Sequence, residues 1–111
     1  MKVEFDNEDL DRLAFDPVFA GKWSWDIKRR YQKAVVVLQA ISRRESLFPM
    51  SGLNFERLSG KRPRHRSKKV KKEYSIRLNK RWRVVLTFVE DANDAVSGER
   101  ILILDVEDYH R

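Results

Sequence analysis

The alternation of apolar residues between positions 74 and 88 is the feature that most constrains the fold of this chain. In residues 74–78, and again in residues 82–88, an apolar side chain occupies every second position. Because successive side chains of a β-strand point to opposite faces of a sheet, each segment predicts a strand with one apolar face. The short polar joint between the two segments predicts a β-hairpin.

The same alternation constrains the turn of the hairpin. If both apolar sets lie on one face, the loop must contain an odd number of residues. A three-residue loop would pair Ile76 with Val84 and Arg77 with Arg83. Two adjacent arginines repel each other, so this pairing makes sense if an anion such as phosphate lies between them. The alternative is a pair of solvated arginines whose aliphatic stems pack on the sheet.

Two amphipathic segments precede the hairpin. Asn7 is a suitable N-cap for a short helix, and this helix is expected to end near Pro17, which disfavours helical geometry at the residue before it. Ser24 is a suitable N-cap for a longer helix, predicted over about residues 25–44.

Two further strands are predicted around the hairpin. Residues 55–58 are a short candidate strand, and the apolar run at residues 101–106 predicts a central strand covered on both faces. A chain of 111 residues can bury one modest core, so residues 1–111 are predicted to form a single domain. The predicted class is α+β, with two N-terminal helices packed on a small, mainly antiparallel sheet of about four strands.

Composition excludes several classes of protein. The chain has no cysteine, which excludes a disulfide framework and a thiolate metal site. Two histidines are too few for a typical zinc site, and neither a metal nor a cofactor is expected. No apolar run approaches the roughly 20 residues that span a bilayer, so we expect no membrane association and a cytoplasmic location.

Positive charge is concentrated in the middle of the chain. The net charge is +7, and residues 57–83 contain 13 of the 24 basic residues against one acid, Glu73. A local positive field of this size attracts nucleic acid or an acidic protein partner. The residues that we predict to contact RNA are Lys61, Arg62, Arg64, Arg66, Lys68, Lys69, Lys71, Lys72, Arg77 and Arg81.

Four segments together resemble the HigB branch of the RelE/ParE toxin superfamily. They are Phe55-Glu-Arg-Leu-Ser-Gly, Tyr74-Ser-Ile-Arg-Leu-Asn, Arg81-Trp-Arg-Val-Val-Leu-Thr-Phe and Asp108-Tyr-His. Toxins of this branch typically show a leucine-x-glycine strand, a serine-isoleucine-arginine strand, a tryptophan-arginine strand and a terminal tyrosine-histidine pair. The similarity covers roughly residues 53–110, and the four segments occur in the order typical of the family.

The resemblance implies a toxin of a bacterial type II toxin-antitoxin system that cuts messenger RNA in the ribosomal A site without a metal. The implied partners are the ribosome, the message and a HigA-like antitoxin with a helix-turn-helix domain. By position, Arg83 matches the catalytic arginine of the family, and Tyr109 and His110 match its terminal pair. The family often has a histidine and a lysine on the first strand of this region, where the present chain has Glu56 and Ser59.

These residue types suit metal-free cleavage of RNA. Attack by a 2′-hydroxyl on the adjacent phosphate requires proton removal, charge stabilisation on the phosphoryl oxygens and protonation of the leaving 5′-oxygen. Arg83, together with Arg77, suits the stabilising role, and His110 titrates near neutrality and can serve as acid or base. Tyr109 can stack on a base or donate a proton, and Glu56 can replace the missing histidine as a base.

Other interpretations stay open from the sequence. Tyr109 and His110 can instead form an ordered tail; in a straight strand at most one of them would face Arg83, because adjacent side chains point to opposite faces. Trp23 and Trp25 are candidates for the core or for antitoxin contacts. Two alternative functions are a ParE-like inhibitor of DNA gyrase and a non-catalytic basic RNA-binding module.

Overall fold

The structure, a computed structural model, describes residues 1–58, 72–90 and 98–109. These residues form a mixed β-sheet with two helices on one face. The strands are β1 (Val3–Phe5), β2 (Glu56–Leu58), β3 (Glu73–Arg77), β4 (Trp82–Glu90) and β5 (Glu99–Asp108). The helices are α1 (Glu8–Phe15) and α2 (Trp25–Ala40), and short 3-10 helices lie at Arg44–Leu47 and Ser51–Leu53.

The strands are arranged in the order β1-β5-β4-β3-β2. β1 runs parallel to β5, and the other neighbouring pairs are antiparallel. The α+β class is therefore confirmed, but the expected count of about four strands is wrong, because the described residues form five. β1 was not predicted, because its three residues are too few to display an alternation.

The predicted helix starts are confirmed, but the predicted end of the second helix is wrong. The side chain of Asn7 accepts a hydrogen bond at the start of α1, and that of Ser24 does so at the start of α2. α2 ends at Ala40 rather than near residue 44, because Ile41 is extended and the N-terminal ammonium of Met1 donates to its carbonyl. Among the described residues, no helix is long and apolar enough to cross a membrane.

The hairpin formed by β3 and β4 has the register that the alternation predicts for a three-residue loop. Ile76 lies opposite Val84 and Arg77 lies opposite Arg83. Asn79 holds the turn, since its side-chain oxygen accepts from the backbone N–H groups of the second and third residues after it, each at 2.8 Å. The predicted pairing of the two arginines is therefore confirmed.

The core lies between the helices and one face of the sheet. Its fully buried members include Tyr31 of α2, Ile76 of β3 and Ile103 of β5. The Tyr31 hydroxyl donates to the carbonyl of Leu10 at 2.8 Å, so α2 also satisfies a backbone carbonyl of α1. Burial raises the pKa of Tyr31, which keeps this hydroxyl protonated as a donor.

The opposite face of the sheet, which we call the second face, carries polar residues that are nevertheless buried. Ser75, Arg83, Thr87 and Glu107 all lie on it, and each is less than a tenth exposed. The register of β4 and β5 shifts between Val85 and Leu86, as at a β-bulge. Burying charged and hydroxyl groups costs free energy unless they are paired, so the partners of these residues on the second face are of particular interest.

Candidate functional site

A small cleft opens on the second face, where strand ends from β2 to β5 meet. Its volume is about 30 Å³, which is room for a group the size of a water molecule. We call it the arginine cleft, and its lining residues are Asn54, Glu56, Ser75, Arg77, Arg83 and Tyr109.

Arg83 forms the inner wall of the arginine cleft and is paired with a carboxylate. Its residue is 9% exposed, and its Nη2 donates to Oε2 of Glu107 at 3.0 Å. Glu107 lies directly opposite Arg83 in the register of β4 and β5. Glu107 lies on the β5 side of Arg83, whereas Arg77 lies on its β3 side, so the protein itself supplies a carboxylate to Arg83 on the side away from Arg77. The interpretation of Arg83 as a solvated surface arginine is wrong.

Tyr109 packs against the guanidinium of Arg83. The ring centroid lies 5.1 Å from the guanidinium carbon, within the range of a cation–π contact. The Tyr109 backbone N–H donates to the carbonyl of Arg81 at 2.9 Å, and Arg81 pairs with Asp108 at 2.5 Å. These contacts attach the end of β5 to the hairpin turn, so the position of Tyr109 beside Arg83 is set by the backbone.

Arg77 supplies the exposed charge of the arginine cleft. It lies at the end of β3 directly opposite Arg83, and its side chain is open to solvent. Glu56 is likewise exposed, and its strand partner is the buried Ser75. A carboxylate and an accessible guanidinium thus face one small opening, with a second, buried guanidinium behind them.

The backbone at the entrance of β2 has a left-handed conformation. Asn54 has a φ of 46° and a ψ of 49°, and its side chain lines the arginine cleft. Asparagine adopts this region more readily than most residues, so the chain can turn sharply into β2 at this position. That turn directs Glu56 onto the second face.

The structure brings together four of the predicted site residues, which are Glu56, Arg77, Arg83 and Tyr109. Two predicted RNA contacts lie elsewhere: Lys72 is exposed beside β3, and Arg81 lies in the hairpin turn. The remaining predicted residues are outside the described part of the chain: Lys61, Arg62, Arg64, Arg66, Lys68, Lys69, Lys71 and His110.

Sequence reasoning missed Glu107 as the partner of Arg83. The available signal was the alternation in the last strand, which places Glu107 and Tyr109 on the same face. The register shift at Val85 hides which β4 residue lies opposite Glu107, so the pair cannot be read from the chain alone. Trp23 belongs to the core and donates from its indole N–H to the carbonyl of Val106, whereas Trp25 is half exposed.

The side chains that line the arginine cleft include a single carboxylate, Glu56, which is too few ligands for a metal site. No group of three or more histidine, aspartate or glutamate side chains that could hold a metal ion occurs in residues 1–58, 72–90 and 98–109. The lining of the cleft offers one carboxylate, two guanidinium groups and a phenol. Guanidinium groups bind phosphate oxygens in particular.

Comparisons with protein-family models, with curated proteins and with solved structures give no match for this chain.

Proposed function

We propose that the chain is a metal-independent endoribonuclease that cuts messenger RNA on the ribosome, acting as a toxin of the HigB type within the RelE/ParE superfamily. The observation that carries this proposal is the convergence of Glu56, Arg77, Arg83 and Tyr109 on one cleft. These residues come from four separate segments of the chain. A carboxylate, two guanidinium groups and a phenol can supply the base, the charge stabilisation and the acid that metal-free RNA cleavage requires.

The proposed reaction uses the 2′-hydroxyl of the RNA as nucleophile. Glu56 takes the proton of the 2′-hydroxyl as its oxygen bonds to the adjacent phosphorus, and the bond from phosphorus to the 5′-oxygen breaks. Arg77 contacts the phosphoryl oxygens, whose negative charge grows in the transition state. Tyr109, or His110 as the resemblance implies, returns a proton to the leaving 5′-oxygen. The products are a 2′,3′-cyclic phosphate and a free 5′-hydroxyl.

Arg83 acts from behind the scissile phosphate in this proposal. Glu107 and the Tyr109 ring hold its guanidinium on two sides, so little reorganisation is needed when an anion arrives. Because Arg83 is 9% exposed, little of its surface is accessible to a substrate. The exposed Arg77 then makes the first contact with the phosphate, and Arg83 strengthens the field inside the cleft.

The test is cleavage of a reporter message in a bacterial translation extract, mapped by primer extension. The wild-type protein should cut within codons, and Arg77→Gln should lower the rate by ~10²- to 10³-fold, as for other lost transition-state contacts. Lys80→Gln, an equal change of charge at an exposed residue of the hairpin turn, should cut at the wild-type rate. Arg83→Ala should abolish cutting. Intact messages with folded wild-type protein would falsify the proposal.

The proposed partners are the ribosome and a HigA-like antitoxin with a helix-turn-helix domain, and they come from the resemblance. A second arm of the test addresses the antitoxin: expression of the chain alone should arrest growth, and co-expression of the neighbouring open reading frame should relieve it. Arrest that the neighbour does not relieve would argue against that partner while leaving the nuclease activity to the extract assay.

A second candidate function, a non-catalytic RNA-binding module, is favoured by one observation. The Arg83 guanidinium is already paired with Glu107, which lowers its net charge toward an incoming phosphate. This candidate predicts that the protein binds RNA in a salt-sensitive manner. It also predicts that messages stay uncut on the ribosome, so the extract assay separates the two functions.

A further inference from the structure

A second, larger depression lies beside the arginine cleft, between α2 and the end of β3. Its volume is about 310 Å³, and we call it the α2–β3 groove. The groove has a basic rim and an aliphatic floor. The cations of the rim are Arg29, Arg30, Lys33 and Arg77, and the floor includes Val37 and Leu78.

The rim retains positive charge after its internal pairing is counted. Four cations face one carboxylate, Asp26, which leaves a net charge of +3 on the rim. Asp26 binds Nε of Arg30 at 2.9 Å and lies 3.8 Å from Nη2 of Arg29. Arg30 also donates to the carbonyl of Leu78 at 3.2 Å, so it is held in place by two acceptors.

Two rim cations on α2 remain available to a ligand. The Arg29 side chain is 72% exposed, and its one long contact with Asp26 is weak. Lys33 is exposed, and no ion pair involves it within the described residues. The two are four residues apart, so they lie on the same face of the helix, about one turn from each other.

Arg77 connects the α2–β3 groove to the arginine cleft. It lines both openings, because it lies at the end of β3 where the sheet stops. A single strand of RNA with one phosphate at Arg77 can therefore continue past the sheet end toward Lys33 and Arg29. Proteins that bind single strands without reading their sequence combine a positively charged groove along the backbone with side chains, usually aromatic, against which the bases pack. The α2–β3 groove supplies the positive charge, and its aliphatic floor supplies an apolar contact.

We propose that the α2–β3 groove binds the stretch of single-stranded RNA next to the scissile linkage, with Arg29 and Lys33 on its phosphates and the aliphatic floor against a ribose or base. This inference rests on the proposed function and adds a substrate subsite to it. Continuity through Arg77 favours RNA over the other chemistry that suits a basic rim and an aliphatic floor, an acidic peptide with an apolar anchor.

The test measures binding of the full chain to a fluorescein-labelled RNA dodecamer of mixed sequence by fluorescence anisotropy over a range of salt concentrations. Arg29→Gln and Lys33→Gln should each weaken binding by roughly three- to tenfold, and each should lower the slope of log affinity against log salt by about 0.7, the value for one phosphate contact with a single strand. Arg43→Gln, an equal change of charge at an exposed residue outside the groove, should do neither.

Wild-type affinity and slope in both groove variants would overturn the inference, as would an equal loss in Arg43→Gln. A third measurement uses a labelled synthetic peptide of alternating leucine and glutamate. If the two groove variants lose peptide binding but bind RNA as the wild type does, the groove is assigned to a protein partner and the RNA subsite is overturned. If the wild-type protein cuts no message but both groove variants lose RNA affinity, the nuclease proposal fails and the groove stands only as a binding site for single-stranded RNA.

Discussion

Separating the Arg83–Glu107 pair should destabilise the fold strongly. The two side chains are 11% and 7% exposed, and 3.0 Å separates Nη2 from Oε2. Removing one member takes from the other, a buried charge, its partner in this pair, which typically costs about 3–5 kcal/mol. Arg83→Met and Glu107→Leu should therefore each lower the free energy of unfolding by about that amount. For a domain of this size the loss corresponds to a fall in Tm of roughly 12–20 °C.

The double variant Arg83→Met with Glu107→Leu tests this reasoning more sharply than either single variant. Replacing both members of a buried ion pair with apolar residues is often neutral or stabilising, because neither charge has to be desolvated. The double variant should be more stable than either single variant, which gives a large coupling free energy in the double-mutant cycle. Urea unfolding followed by tryptophan fluorescence measures all four proteins, since Trp23 is buried in the core.

Arg81→Met is the matched control for this cycle. Arg81 also pairs with a carboxylate of β5, Asp108, but its side chain is 68% exposed. Exposed ion pairs contribute about 0–1 kcal/mol, so this variant should unfold close to the wild type. The reasoning is refuted if Arg83→Met costs no more than Arg81→Met, or if the losses of the two single variants simply add. If Arg83→Met loses several kcal/mol of stability, Arg83→Ala is expected to be destabilised as well. Its activity must therefore be measured on protein that has been shown to be folded.

Two further predictions concern the junction of the helices. Lys28 is 3% exposed and donates from Nζ to the carbonyls of Leu13 and Asp16. Lys28→Met should therefore lower the free energy of unfolding in urea by about 1–3 kcal/mol, whereas Lys33→Met, at an exposed residue, should not. Equal stability of the two variants would contradict this. The hydrogen bond from the backbone N–H of Val18, and to a smaller extent the Arg12 side chain, lower the pKa of Asp16 below its usual value of 3.8. The Asp16 carboxylate therefore stabilises the fold above that pH, and this contribution is lost as pH falls through the lowered pKa. The stability difference between wild type and Asp16→Asn should therefore be measurable at pH 6 and vanish in strong acid, and a difference that stays constant with pH would refute it.

Local patterns in the chain were sufficient for most of the secondary structure. Asn7 and Ser24 cap helices because their short polar side chains reach backbone N–H groups within the next turn, which is a purely local interaction. The hairpin register follows from two alternating segments that are only a few residues apart. The end of α2 was misplaced, and the carbonyls of Gln39 and Ile41 at this end accept from the ammonium of Met1, a contact that is distant in sequence and that no local pattern shows.

The candidate site was predictable only in part. The sequence pointed to Glu56, Arg77, Arg83 and Tyr109 by residue type and by resemblance, and all four line the arginine cleft. It did not indicate that the inner arginine would be buried and paired. That feature depends on which β5 residue lies opposite Arg83.

The sequence by itself therefore determined the α+β class, the helix starts, the hairpin and its pair of facing arginines, because each depends on periodicity or on contacts within one or two turns. Only the tertiary structure decided the parallel docking of β1, the burial of Arg83 against Glu107 and the groove that meets the cleft at Arg77. These features join segments that are distant along the chain. Their geometry is set by the strand order and by one register shift, and neither is visible in a local pattern.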